Sequence, residues 1–221
     1  MKQALIIGDT GGVGQAVSQA LRSRGDEVVG LSRRNHGLDV TDEASVGRIL
    51  GALEGSFDLI LVATGALVIN DQGPEKSIKS LNAAAMVDQF RVNAIGPALV
   101  LKHSMRLMPR DRPCTFAALS ARVGSIGDNQ IGGWHSYRSA KAALNQLIHG
   151  ASIEVARTHP QACCVCLHPG TVATSFSEAY ASSHKRTPPS VAASNLVEVL
   201  DQLAPKDTGG FFDHAGKIIP W

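Results

Sequence analysis

The 221-residue chain has no apolar run approaching the roughly 18 residues that a membrane-spanning helix requires. Its first residues, Met1-Lys2-Gln3, pass straight into a short apolar segment instead of a leader-like stretch, so the expectation is a soluble, unexported protein of the cytoplasm. An excess of one charge is missing too: 21 Lys and Arg against 19 Asp and Glu leave a net charge of +2. With no basic stripe and no stacking-aromatic motif, neither nucleic acid nor membrane is an expected partner. Cysteine is scarce and badly placed for metal. Cys163, Cys164 and Cys166 fall in one apolar run, where strand alternation turns Cys163 away from the other two. Buried reduced thiols follow, and none of the eight histidines forms a His-x-x-x-His pair, so no metal site is expected. Internal repeats, low-complexity tracts and linkers are absent as well, and the expected organisation is one domain over residues 1–221.

Glycine is where the chain becomes informative. Ala4-Leu5-Ile6-Ile7 ends abruptly in Gly8-Asp9-Thr10-Gly11-Gly12-Val13-Gly14, and Val13, Val17, Ala20 and Leu21 then recur at helical spacing. Strand, glycine turn and helix in this order present bare backbone to a ligand, and a helix start offers unpaired N–H groups to a phosphate. The spacing Gly-x-x-x-Gly-x-Gly differs from the dinucleotide fingerprint Gly-x-Gly-x-x-Gly. A second strand, Glu27–Leu31, ends in Ser32-Arg33-Arg34. An acid at this place suits the ribose 2′-hydroxyl of NAD, whereas arginines suit a 2′-phosphate, so NADP(H) is favoured over NAD(H).

Tyr137 and Lys141 stand four residues apart in Trp134-His135-Ser136-Tyr137-Arg138-Ser139-Ala140-Lys141, which on a helix aims both at one small volume. Tyrosine ionises near pH 10, and depression to roughly 7 demands about 4 kcal/mol from neighbouring positive charge. One lysine and a cationic cofactor could supply it; taken alone, the pair reads first as an ordinary exposed helix pair, because four-residue spacings arise easily by chance.

Strand-like runs fall at Ala4–Ile7, Glu27–Leu31, Gly37–Val40, Leu59–Ala63, Thr115–Leu119, Ala162–Leu167 and Phe211–Phe212. Helices are predicted over about 12–23, 42–53, 81–107, 136–158 and 189–203. This alternation implies an α/β fold of the Rossmann type, a doubly wound parallel sheet of about seven strands with helices on both faces and ligands at the strands' carboxyl ends.

With these features placed, the chain resembles the short-chain dehydrogenase/reductase family, and within it the C-factor-like and small carbonyl-reductase subgroup. The matches run in order: Gly8, Gly12 and Gly14; Ser32-Arg33; Asp39-Val40; Ala63-Thr64-Gly65; Asn93; Tyr137 and Lys141; and Pro169-Gly170-Thr171-Val172-Ala173-Thr174. The resemblance implies an NADP(H)-dependent oxidoreductase acting on a small carbonyl or alcohol. Tyr137 would be its general acid/base, and Lys141 would hold the nicotinamide ribose and lower the tyrosine's pKa. Asn93 would bend its helix and hold a relay water. Val172 and Thr174 would meet the carboxamide, Asp39 and Val40 the adenine, and Thr10, Gly11 and Val13 belong to the same cofactor turn. A homodimer or homotetramer packed on the two long helices fits the resemblance. In the family the region matching Ser175–Pro189 closes over substrate; here that stretch, expected to be the most flexible, is short, which implies an open and permissive site.

Three departures stand out. The family's substrate-binding serine falls on Ala121; Ser120 lies one place earlier, which on a strand turns its side chain to the opposite face, and Ser125 is a second candidate. Ala63-Thr64-Gly65 lacks the usual asparagine. Asp9 puts a carboxylate beside the expected pyrophosphate. Ala121 also keeps open a second reading, an NADP(H)-binding signalling protein with weak or no turnover. His135, two residues before Tyr137, could edge the pocket or lie on a surface loop, and His168 beside Pro169 is expected to be structural.

Overall fold

Buried apolar runs two faces deep set the architecture. In the computed structural model, which describes residues 1–180 and 186–221, the strands are β1 (Gln3–Ile7), β2 (Glu27–Leu31), β3 (Leu59–Val62), β4 (Cys114–Leu119), β5 (Ala162–His168) and β6 (Phe211–Asp213). They form one parallel sheet in the order β2-β1-β3-β4-β5-β6. Helices α1 (Gly12–Ser23), α2 (Arg33–His36), α3 (Glu43–Gly51), α4 (Ala83–Phe90), α5 (Gly96–Ser104), α6 (His135–Val155) and α7 (Pro189–Gln202) connect them. Alternation along each strand feeds two cores. Leu5, Ile7, Ile60, Val62, Phe116 and Cys164 meet α3, α5 and α6 residues such as Val46, Val100 and Leu144. Ile6, Leu61, Ala117, Cys163 and Val165 meet Val17 and Leu21 of α1 and Leu196 and Val199 of α7. Both faces are therefore dry, as a parallel sheet demands.

The sheet has six strands where about seven were expected, because Gly37–Val40 does not pair. Ser32 starts the one-turn helix α2, Gly37 ends it at φ 67°, and the backbone that follows finds partners off the sheet. Leu38 donates its N–H to the Ser32 carbonyl, and Asp39 donates to the Ser45 hydroxyl. Leu38 and Val40 still enter the core, so their hydrophobicity is used without strand geometry.

The expected helix 81–107 is continuous but not uniform. Between α4 and α5 the residues Arg91–Ile95 form a π-turn, and Met105–Leu107 close the run as a 3₁₀ turn. Pro97 has no N–H to give the carbonyl of residue 93, so the regular ladder cannot run through this point. The π-turn thus falls at Asn93, with the proline as a physical cause. The other helices start and stop within about three residues of expectation. Ser175–Pro189 includes residues 181–185, which lie outside the described residues. Of the rest, Ser175–Tyr180 is a 3₁₀ stretch, and Thr187 is tied to Thr171 and Ala173 by backbone hydrogen bonds of 2.8 and 2.9 Å. No helix among the described residues is long and apolar enough to cross a membrane.

Candidate active site

β1 and β3 are neighbours whose connections leave in opposite directions, β1 toward β2 and β3 toward β4, so a crevice opens at their carboxyl ends. The glycine turn fills its floor. A Cβ on Gly14 would lie 2.3 Å from the Gly8 carbonyl oxygen, and one on Gly12 would lie 2.3 Å from Thr174 Cγ2. Only glycine lets helix α1 start this close to the turn and to the segment after β5. Gly11 is the N-cap of α1; no described side chain caps the helix and its first turn holds no acidic residue. Backbone N–H groups with this exposure suit an anion.

A cavity of about 710 Å³ extends from this turn across the sheet. Of the sequence-derived site residues, Gly11, Gly12, Val13, Ala63, Thr64, Gly65, Ser120, Tyr137, Lys141, Pro169, Gly170, Val172 and Thr174 line it. Gly8, Thr10, Gly14 and Asn93 lie outside the lining, as do Ser32, Arg33, Arg34, Asp39 and Val40. Ser32 is buried at the end of β2, while Arg33 and Arg34 are exposed on α2. Asp39 accepts from the Thr41 hydroxyl and N–H at 2.7 and 2.9 Å, and these bonds, assisted by Arg33, hold its carboxyl below the usual range against a lesser effect of burial. Asp9 packs against Gly30, and its Oδ1 is buried without a partner, as is the Ser32 hydroxyl.

Helix α6 delivers the pair recognised in the sequence. Tyr137 is 5% exposed and Lys141 3% exposed, with the ammonium 5.9 Å from the centre of the phenol ring. Lys141 Nζ donates to the Leu119 carbonyl at 2.8 Å, which pins it to the end of β4. Burial pushes the lysine down to about 8 and the tyrosine above its ordinary value. Burial by itself therefore opposes the phenolate. A depression from 10.5 to about 8 corresponds to roughly 3 kcal/mol against the ammonium form.

Asn93 is fully buried on the π-turn. Its amide donates to the Ala66 carbonyl (2.8 Å) and to Gln89 (2.6 Å), and its oxygen accepts from the Ala66 N–H (3.1 Å). A Cβ on Gly65 would stand 3.0 Å from Asn93 Oδ1 and 3.6 Å from Lys141 Nζ, so the loop after β3 brings these two side chains to one spot.

The two serine candidates separate cleanly. Ser125 donates to the Pro220 carbonyl at 2.5 Å, accepts from the Asp128 N–H, and is not in the cavity wall. Ser120 is in the wall, but its hydroxyl donates to Asn145 Oδ1 at 2.6 Å. His135 opens α6 half-buried and outside the wall, whereas His168, expected to be structural, is in it. Burial, aided by Arg122 and His214, pushes His168 down to about 4, so it is neutral at physiological pH.

Several wall residues escaped the sequence reading. Trp134 and Phe176 flank the Tyr137 ring at centroid distances of 6.3 Å each, and Arg122 pairs with Asp128 and Asp213. Trp134 sits in left-handed backbone at φ 53°, a strained conformation for a bulky residue. Its N–H donates to the Glu75 carbonyl at 2.5 Å, and the Glu75 carboxylate accepts from the Ser136 N–H and hydroxyl. Burial would raise the Glu75 pKa, but these bonds more than offset it and hold the carboxyl below its usual range. Nothing in local sequence connects residue 75 to 136. Asn145, by contrast, continues the four-residue spacing of Tyr137 and Lys141 and was legible by the same arithmetic.

A family model described as enoyl-(acyl carrier protein) reductase matches residues 7–202. The 1-hydroxy-2-glutathionyl-2-methyl-3-butene dehydrogenase of Rhodococcus sp. (strain AD45) is 26% identical over the whole of both chains. The C-signal protein of Myxococcus xanthus is 30% identical over 72% of this chain and 96% of its own. Among solved structures, carbonyl reductase Sniffer of D. melanogaster superposes with a TM-score of 0.85 at 20% identity, covering all of both chains. The NADPH-bound carbonyl reductase from chicken fatty liver gives 0.82 at 20% identity over 100% of this chain and 94% of its own, a likeness of fold. The chain belongs to the short-chain dehydrogenase/reductase family, with the C-signal protein among its relatives, and is an NAD(P)-dependent oxidoreductase.

Proposed function

We propose that the protein is an NADPH-dependent reductase of aldehydes or ketones, with Tyr137 as general acid. The observation that carries this reading is one cavity shared by the uncapped start of α1, at Gly11, Gly12 and Val13, and the Tyr137–Lys141 face of α6. Gly11, Gly12 and Val13 would hold the cofactor's pyrophosphate, Arg33 and Arg34 its 2′-phosphate, and Thr64, whose hydroxyl is buried without a partner, a further polar group. Val172 and Thr174 would meet the nicotinamide end. NADPH, when bound, supplies the hydride that reaches the carbonyl carbon.

The protein's own part is to place and protonate. Tyr137 gives its phenolic proton to the carbonyl oxygen, and because burial keeps the phenol protonated, the acid form is present across the physiological range. Lys141, as an ammonium, stabilises the phenolate left behind, and Asn93 and Lys141 together border the path along which that proton is replaced. Trp134 and Phe176 wall the substrate side with aromatic surface, which favours an apolar carbonyl compound. Exposed Val87 and Ile95 on the α4–α5 run, with Leu147 and Ile153 on α6, supply apolar surface for a homodimer or homotetramer, which light scattering reads directly.

The test is to follow nicotinamide absorbance while NADPH and a panel of aldehydes, ketones and quinones are mixed with purified protein. Turnover of at least one is expected, and Tyr137→Phe should lower kcat by about 10²–10⁴ without changing NADPH affinity. Full activity in that variant would remove the acid role. A second reading has its own observation: Ala121 offers no hydroxyl at the family's serine position, and the C-signal relative is 30% identical. An NADP(H)-binding signalling protein would bind NADPH in calorimetry and turn over none of the panel.

A further inference from the structure

Resting on the reductase reading, we infer that the Ser120 hydroxyl is a tie between β4 and α6 and not a donor to substrate, so that Tyr137 activates the carbonyl without a serine and the side chain at position 121 sets the rate. Ser120 and Asn145 are 4% and 3% exposed, and the hydroxyl meets Asn145 Oδ1 at 2.6 Å. The direction of that bond is fixed on the far side of the amide. Asn145 Nδ2 faces the Gly124 carbonyl at 3.5 Å, and a carbonyl can only accept. Turning the amide over would set oxygen against oxygen there, so the amide oxygen faces Ser120 and the hydroxyl donates.

A hydroxyl has one proton, and here it is already committed. What Ser120 can show the cavity is lone pairs, which a carbonyl oxygen, itself an acceptor, cannot use. Ala121 in the same wall contributes a methyl group. The bond's place in the fold explains its presence. Lys141 donates to the Leu119 carbonyl, and Ser120, the next residue, donates to Asn145, one helical turn beyond Lys141. Two adjacent residues at the end of β4 thus grip two successive turns of α6, and the lysine that faces Tyr137 lies in one of them.

Two measurements separate the tie from the reductase reading. Equilibrium unfolding of Ser120→Ala, Asn145→Leu and the double variant needs no substrate. The double variant is expected to lose no more stability than the worse single, whereas additive losses would overturn the tie. Steady-state kinetics on a carbonyl of the panel then reads the chemistry. Ser120→Ala should hold kcat within about threefold, where loss of a transition-state donor would cost about 10²–10³. Ala121→Ser should raise kcat by about tenfold with the NADPH dissociation constant unchanged. A hundredfold fall in Ser120→Ala at unchanged NADPH affinity overturns the inference, and a flat rate in Ala121→Ser overturns its second half. If the wild-type protein reduces nothing, the reductase reading fails and the unfolding cycle alone decides the tie.

Discussion

The corner where β2 meets α2 and the corner where β4 meets α6 both lie at the carboxyl ends of parallel strands and hold residues of the proposed site, yet they hold them in opposite ways. At β2–α2, Arg33 and Arg34 are exposed, and the Ser32 hydroxyl is buried without a partner. At β4–α6, Tyr137, Lys141, Ser120 and Asn145 are all buried, and the last three are joined by hydrogen bonds of 2.6 and 2.8 Å to β4 or to each other. One corner offers charge that can adapt to a ligand, and the other offers geometry fixed before any ligand arrives. Reaction chemistry tolerates misplacement poorly, while recognition of a phosphate by long cationic side chains does not need the same precision.

The sharpest way to break this comparison is at the turn that serves both corners. Gly14→Ala pushes a methyl to 2.3 Å from the backbone oxygen of Gly8, which cannot retreat as a side chain can. Dinucleotide affinity in calorimetry is expected to fall by about a hundredfold or more, or the protein to unfold. Normal binding in this variant would mean that the turn is looser than its contacts imply.

At the buried corner, Lys141→Met should lower kcat by about 10²–10³. In the wild type, activity should decline as pH rises through about 8, where the ammonium loses its proton. Stability moves the other way. Between pH 8 and 10.5 the unfolded chain holds the lysine proton and the folded chain releases it, so the wild type should gain on the variant by up to roughly 3 kcal/mol as pH rises. Parallel stability curves would show that Lys141 is better solvated than its burial suggests.

His168 carries a smaller load of the same kind. Its folded value of about 4 lies below the ordinary 6.5, so as pH falls through this window the unfolded state alone takes up the proton and stability is lost. Thermal unfolding of His168→Asn should escape about 2 kcal/mol of that loss near pH 4.5. The exposed corner should give the mildest response. Arg33→Ala with Arg34→Ala is expected to weaken NADPH binding by about tenfold and leave NADH unchanged, with no effect on folding. An equal loss for both cofactors would show that the arginines do not read the 2′-phosphate.

Much of the fold was legible because its signals are local. Apolar runs, a glycine turn and helical spacing each speak within a dozen residues, and all six strands and the long helices were located from them, with one strand too many. Gly37–Val40 misled because alternation reports burial and not pairing; its backbone is satisfied by Ser32 and Ser45, eight residues to either side at most. The candidate site was legible in its proposed reactive members and not in their supports. Glu75 and Ser136 are 61 residues apart, and only the folded chain brings that carboxylate to the start of α6.

The sequence by itself determined a parallel α/β sheet, a glycine turn at its first crossover and a tyrosine and lysine on one helical face, because periodicity and glycine placement are properties of a few neighbouring residues. Tertiary structure alone decided which serine faces the cavity and where its proton goes, that His168 joins the wall, and that burial opposes ionisation of Tyr137. Those outcomes depend on solvent exclusion and on partners distant in sequence, such as Asn145, 25 residues beyond Ser120, and neither is set by local order along the chain.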